Sequence, residues 1–455
     1  MWRHRLGRVR DALRWRGMRG RALALAMAQV LAGPTLVVES ESPEIEGRGA
    51  PDPLAVLTAE RVPPALWGSI DDWDDAVAAA ARPSVFLTRD WVTAWWAAFG
   101  SGLEPMLIRV TDPGGRTVGL APLYLERPKL VVRLPLRRLG IIGDRVVGSE
   151  YLGLVARAGQ EAAVAKAVAA RLAREVRWDV AELTGLVAGD PAGDALEAAL
   201  LGKGERRRVT PHACAMIQLP ADYETYLATL RPTFRRASRQ RANRLRRRFP
   251  STQTYLTDEE RLLEPHLARL WEMHQVHWNA AGYSGAFADG RMRSFYLDVS
   301  RRLLAAGSLR FWQLQIDGVI RASQYGFVHH GVLHALQSAY DTTFRAPGVD
   351  GPGVTLRFDA LRHAIETDHL RGYDFLGGVE DFKTRWGTST HDTRTVYITA
   401  RGTRGRLAWL ATAGTRDLFS RVVSIAPRGL VKALRVARAR RRGAPGSTTQ
   451  PSGHE

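Results

Sequence analysis

YDTTFRAPGVDGPGVTLRFDALRHAIETDHLRGYDFLGGVEDFKTRWG, residues 340–387, is the stretch on which the reading of this chain turns. A strand runs into a glycine-rich loop, then a helix, a second strand and a short basic-aromatic ending. The loop is Gly348-Val349-Asp350-Gly351-Pro352-Gly353, with Val349 its one branched aliphatic residue. Glycine permits positive φ and lets another group approach the backbone closely. Leu356, Leu361, Ala364 and Ile365 then recur on one face of a helix. The first amides of a helix lack helical partners and carry the positive end of its dipole. Gly348, Val349, Gly351, Gly353 and Val354 therefore read as an anion cradle suited to a pyrophosphate. It is not a dinucleotide fingerprint, because Leu356 stands where the third glycine is needed, nor a P-loop, because no Lys-Ser/Thr pair follows. A tight turn opening an ordinary helix is the competing reading.

Working outward, LRFWQLQI (309–316), VIRASQYGFVHH (319–330) and VLHALQSAY (332–340) are three strands. Asp317-Gly318 and the His-Gly pair at 330–331 supply hairpin turns between them. YDFLGG (373–378) reads as a buried strand. The order is thus three strands, glycine loop, helix, strand.

This layout resembles the acyl-CoA-binding core of the GNAT acyltransferases. It most resembles the CelD/BcsL-like, cellulose-biosynthesis-type branch, related to the FemAB peptidyl transferases. The residues that carry the likeness are the Pro-Gly loop before a helix, the strand Gly-Tyr-Asp-Phe-Leu-Gly-Gly (372–378) and Asp-Phe-Lys-Thr-Arg-Trp-Gly (381–387). The likeness covers residues 65–400, and its specific part is 309–387. GNAT loops usually open with Arg or Gln, where this chain has Gly348. The resemblance implies an acyl-CoA, acetyl-CoA in the first instance, as co-substrate. It also implies an oxyanion donor from the backbone near Gln337 to Tyr340, and aligns Lys383 with a lysine that FemAB-like enzymes keep near the reacting groups.

An internal echo extends the reading. PMLIRVTDPGGRTVGLAPLYLER (105–127) parallels the 309–330 hairpin, and WDVAELTGL (178–186) parallels residues 372–379. A strand near 151–156 and a helix over 160–175 complete the first copy, whose loop ARAG has a single glycine. The expected fold class is a mixed-sheet α/β protein with two tandem GNAT-like domains, the first degenerate for cofactor binding, and basic terminal extensions. The expected boundaries are 1–55 (basic extension and linker), 56–205, 206–400 and 401–455 (basic amphipathic tail with a disordered end).

The chain has 455 residues and a net charge of +19, concentrated in three segments. Residues 1–33, 203–248 and 401–455 carry +7, +10 and +10, so the remainder is net acidic at −8. One cysteine, Cys214, excludes an intramolecular disulfide framework and points to the cytoplasm. A basic N-terminus followed by ALALAMAQVLA (22–32) has the outline of a signal peptide, yet the run is too short to span a membrane. A membrane-surface helix and a later true start, at Met18 or Met27, are the alternatives. With Leu430, Val431, Leu434 and Val436, the tail helix 428–443 could also rest on anionic lipid.

Arginine dominates RPTFRRASRQRANRLRRRF (231–249). Arg235, Arg236 and Arg239 are candidates for holding a phosphorylated or lipid-linked saccharide acceptor, against the plainer reading of a solvated face. No zinc, helix-turn-helix or RNA-binding signature supports nucleic acid. His274 and His277 share a helix face without the further ligands a metal needs, so no metal is expected. Trp91, Trp95 and Trp96 read as core rather than as a pocket lining.

Acyl transfer needs a base, oxyanion donors and a proton for the leaving thiolate. Asp374 is the base candidate, Tyr340 the thiolate acid, and Lys383 a cation to steer an acyl carbonyl or phosphate; Glu380 and Asp381 are weaker bases. The plain alternatives are a carboxylate satisfied by amides, a core tyrosine and a surface lysine. The leading functional reading is an acyl-CoA-dependent N- or O-acyltransferase acting on a saccharide-like or cell-envelope precursor. An aminoacyl-tRNA-dependent transferase and a non-enzymatic adaptor binding membrane or nucleic acid are the alternatives.

Overall fold

The structure, a computed structural model, describes residues 57–127, 136–144, 147–202, 204–280, 285–344 and 351–409. The basic segments 1–33 and 428–443, and the loop residues Gly348 and Val349, lie outside them.

The first half of the chain runs β1 (Thr58–Arg61), α1 (Trp73–Ala78), α2 (Arg89–Phe99), β2 (Glu104–Thr111), β3 (Thr117–Glu126), β4 (Arg138–Ile141), β5 (Val155–Ala156), α3 (Glu161–Glu175), β6 (Val180–Val187), α4 (Pro191–Leu201) and β7 (Gly204–Gln218). The second runs α5 (Tyr223–Thr229), α6 (Pro232–Arg248), β8 (Gln253–Leu256), α7 (Glu260–Ala280), α8 (Gly290–Ala305), β9 (Leu309–Ile316), β10 (Val319–His329), β11 (Val332–Tyr340), α9 (Pro352–Glu366), β12 (Gly372–Gly377), α10 (Asp381–Thr384), β13 (Ser389–Ala400) and α11 (Thr403–Trp409). The three-strand meander read from 309–340 is present. Its two turns have Asp317 and Gly318 at φ 49° and 77°, and His330 and Gly331 at 45° and 72°. Two consecutive positive φ values match the right-handed twist of the flanking strands.

Both halves share one mixed sheet, in the order β1-β2-β3-β4-β6-β13-β7-β12-β11-β10-β9-β8. The order is a palindrome of two equivalent sets. At its centre the halves exchange their last strands. β7 ends the first half but pairs with β12, and β13 ends the second but pairs with β6. β7 and β13 then pair with each other along nearly their full length. The sequence boundary at 205/206 falls inside β7. The strand expected near 151–156 is only the two-residue β5, which pairs with β3. The strand that lies parallel to β6 is β4. Its four residues are too short a run for a period to be read.

In the second half, α9 lays Leu356, Leu361, Ala364 and Ile365 against Tyr373, Phe375, Trp312 and Leu314. The opposite face is covered by α7 and α8 and by segments of the first half; Phe86, Trp91 and Trp95 are buried there. Two of the three α2 tryptophans are therefore core, as expected, and Trp96 is partly buried. Among the described residues, no helix is long and apolar enough to cross a membrane.

Candidate active site

β11 and β12 are parallel neighbours for three residue pairs, Val332–Gly372, Leu333–Tyr373 and His334–Asp374. Beyond them no pairing continues, although β11 runs on to Tyr340 and β12 to Gly377. The strands part there, leaving a notch between them. What bends β12 away is local. Leu376 sits at φ 58° and Gly378 at 96°. The Leu376 amide donates to Asp374 Oδ1 at 2.7 Å, and the Gly378 amide to the Ala213 carbonyl at 2.8 Å.

Lys383 holds the same bend from the other side. Its buried Nζ donates to the carbonyls of Gly377 (2.6 Å), Gly378 (3.2 Å) and Phe375 (3.3 Å) and pairs with Glu380 at 3.0 Å. Its donors are spent on the backbone and on Glu380, which places it as the clasp of the 375–378 turn rather than as a surface lysine.

At the other side of the notch, α9 begins with Gly351 in the left-handed region, φ 78° and ψ 54°. A side chain is strained there, which accounts for the glycine. The Val354 and Thr355 amides donate to the Gly351 carbonyl, each at 3.1 Å. Val354 thus leaves the expected cradle because its N–H is already engaged. Pro352 has none, so the Gly351 and Gly353 amides are what the described residues offer an anion. Tyr340 stands beside them; a Cβ on Gly353 would lie 3.5 Å from its ring.

Arg235, Arg236 and Arg239 lie elsewhere. Arg235 donates to the Leu227 carbonyl at 3.1 Å, and Arg239 makes an exposed pair with Glu224 at 3.6 Å. Phe234 of the same helix packs on Phe358 and Trp386. These arginines flank α9, on the face of the sheet opposite Asp374.

Asp374 is the centre of a polar cluster. It is 2% exposed and accepts three hydrogen bonds, from Leu376 N, from Tyr151 Oη at 2.6 Å and from His334 Nδ1 at 3.2 Å. Burial alone would raise its pKa, but these bonds outweigh it and hold the carboxyl below its ordinary range. Asp374 is thus a carboxylate whose oxygens are already engaged by three donors. Tyr151 reaches on to His391 Nε2 at 2.8 Å. Burial, then the neighbouring Asp374 charge, pushes the Tyr151 hydroxyl far up and keeps it a neutral donor. Its backbone is at φ 52°, uncommon for a bulky residue.

Glu150 leans against Gly377, where an added Cβ would collide with its carboxylate. Burial, then the charge of Asp374, pushes Glu150 up to about 7. Burial likewise pushes the Cys214 thiol up to about 12, so the one cysteine is not a thiolate nucleophile. A pocket of about 190 Å³ opens on this cluster, lined by Tyr151, His334, Asp374 and His391, with Arg82 and Asp190 supplying opposite charges.

Among the described residues, the first half carries an ionic network at the equivalent position. Glu182 lies two residues beyond Val180, which pairs with Arg138, just as Asp374 lies two beyond Gly372. There the buried Arg138 guanidinium contacts Glu182 at 2.9 Å, Glu126 at 3.0 Å and Asp144 at 3.3 Å, and Tyr397 Oη donates to Glu182 at 2.8 Å. The corresponding space is filled by a closed ionic network.

Sequence reasoning singled out Asp374, Tyr340 and Lys383 around this notch but missed Tyr151, His334, His391 and Glu150. Tyr151 and His391 are 223 and 240 residues from their partners Asp374 and Tyr151. No local spacing announces such contacts.

Residues 232–384 match the family model described as an acetyltransferase (GNAT) domain. The match spans α6 to α10, hence the notch, α9 and the Asp374 turn. Among solved structures, the chain is similar to FemX at 14% identity, over 78% of this chain and 99% of that one, with a TM-score of 0.51. It is also similar to the C-terminal domain of a putative lysylphosphatidylglycerol synthetase from Agrobacterium fabrum (10% identity, 76% and 96% coverage, TM-score 0.46). A third similar structure is a tandem GNAT protein from the clavulanic acid biosynthesis pathway (14% identity, 76% and 99% coverage, TM-score 0.41). No curated protein sequence matches. The FemX likeness concerns the fold alone. The chain is an acyltransferase with a GNAT domain in its second half.

Proposed function

We propose that this enzyme transfers an acyl group, in the simplest case acetyl, from acyl-CoA to an amine or hydroxyl of a small saccharide-like or cell-envelope precursor. The observation that carries the reading is the parting of β11 and β12 beside the amide end of α9. A pantetheine arm can lie in such a notch, hydrogen-bonded to the strand edges, with its pyrophosphate at Gly351 and Gly353. Tyr340 stands beside Gly353, at the pyrophosphate end of that arm, a pantetheine length from the leaving sulfur, so the thiolate proton is not assigned to it. The 190 Å³ pocket on the Asp374 face is of a size for one sugar or amino-acid unit of the acceptor. Membership of the CelD/BcsL-like branch, and with it a part in polysaccharide biosynthesis, belongs to this proposal, as do a cytoplasmic site and membrane contact through the basic ends.

An aminoacyl-tRNA donor is the second reading, favoured by the arginine face of α6 beside α9. Calorimetry separates the two. Acetyl-CoA should bind with one site per chain and raise the melting temperature, as any ligand of the native state does. Tight binding of aminoacyl-tRNA with no response to acetyl-CoA or longer acyl-CoAs would overturn the first reading in favour of the second.

A further inference from the structure

We propose that His391, oriented by Tyr151 and Asp374, is the general base that takes the proton from the acceptor; the assignment rests on the acyltransfer reading above. An ionised carboxylate only accepts, and a tyrosine hydroxyl has a single proton to give. Asp374 is the ionised partner, and Tyr151 Oη lies 2.6 Å from it, so the tyrosine proton is committed there. The 2.8 Å contact between Tyr151 Oη and His391 Nε2 then has one solution: Nε2–H donates to the tyrosine oxygen. In the neutral ring this makes Nδ1 the unprotonated nitrogen. The tautomer of an imidazole is set by the partner of its other nitrogen, and here that partner is fixed by a buried charge.

His391 also lines the pocket, so the basic nitrogen belongs to a ring that borders the acceptor's space. Three segments build the relay. Asp374 comes from β12, Tyr151 from the first half of the chain, and His391 from β13, the strand exchanged into the first half. The first half thus has a role, since it supplies the tyrosine that aims the base. Asp374 and Tyr151 are positioning residues. In the step itself, His391 Nδ1 takes the proton as the acceptor O or N attacks the thioester carbonyl carbon. The C–S bond breaks, its electron pair leaves on sulfur, and the thiolate takes a proton from solvent, to which His391 then gives up the one it took. The products are the acylated acceptor and free CoA.

Nitrogen-15 imidazole spectra of the full chain test the tautomer without any acceptor. His391 should appear protonated at Nε2 in the wild type and lose that preference in Tyr151→Phe. Release of CoA thiol from acetyl-CoA, with glucosamine as the acceptor probe, tests the role. His391→Ala should fall by roughly 10²-fold or more in kcat, the scale of general-base catalysis, with acetyl-CoA affinity unchanged and partial rescue by added imidazole. Tyr151→Phe should lower kcat without imidazole rescue. An Nδ1–H tautomer in the wild type, or full activity in folded His391→Ala, overturns the assignment. If glucosamine is not a substrate, the nitrogen spectra alone decide. A wild type that binds no acetyl-CoA overturns the donor reading instead, and the tautomer result stays separate from it.

Discussion

Asp374 gives the sharpest test of how the site is held together. Replacing it by alanine removes the acceptor for the Leu376 amide and for His334 Nδ1, and one partner of Tyr151. Tyr151 still accepts from His391, but its own O–H loses the acceptor it had in Asp374, so three donors are left short. A buried donor left without a partner costs about 1–3 kcal/mol, more where a charge is involved. The expected loss for Asp374→Ala is therefore about 3–5 kcal/mol, equivalent to roughly 4–7 °C in melting temperature for a cooperative unit of about 350 residues. Asp374→Asn should cost less, about 1–2 kcal/mol, because its carbonyl can accept from Leu376 while its amide donates to the Tyr151 oxygen. Acid gives an independent check. The Asp374 carboxyl is held below 3.8, so its contribution is present above that value and is lost as pH falls through the folded pKa. The gap between wild type and Asp374→Asn should accordingly close in strong acid. Thermal and urea unfolding across pH measure both effects. An Asp374→Ala protein that melts within about 2 °C of wild type would refute the network as described.

The other expectations are separable from this one. Gly353→Asp should fold, since its Cβ meets the Tyr340 ring at an ordinary 3.5 Å, yet bind acetyl-CoA at least about tenfold more weakly, or about 1.4 kcal/mol; unchanged calorimetric affinity would move the pyrophosphate elsewhere. Lys383→Met strands three carbonyls and Glu380 and should destabilise by about 3–5 kcal/mol, whereas a fully stable variant would show that the 375–378 turn does not need its clasp. Glu150, raised from 4.5 to about 7, adds stability below its unfolded value that is lost as pH rises through 7. Glu150→Gln stays neutral, so its melting temperature should gain on wild type between pH 5 and 8; a constant difference would contradict the raised carboxyl.

Much of the second half was legible as sequence because its determinants are local. Asp-Gly and His-Gly pairs set the turns of the β9–β11 meander, alternation set its strands, and a glycine before an apolar-faced run set the start of α9. Asp374 stood out as an acid within an apolar strand, and the register of that strand put it on the face opposite Tyr373 and Phe375. Tertiary structure alone decided that β7 and β13 cross between the halves, that α6 sits on the far side of the sheet from the pocket, and that Tyr151 and His391 meet Asp374. Hydrophobic period and turn chemistry act over a few residues, whereas strand exchange is chosen by pairing energies between segments some 200 residues apart. The same distance hides the partners of Asp374: read alone it is an acid in an apolar strand, and only the tertiary structure brings it the Tyr151 and His334 donors that engage its oxygens.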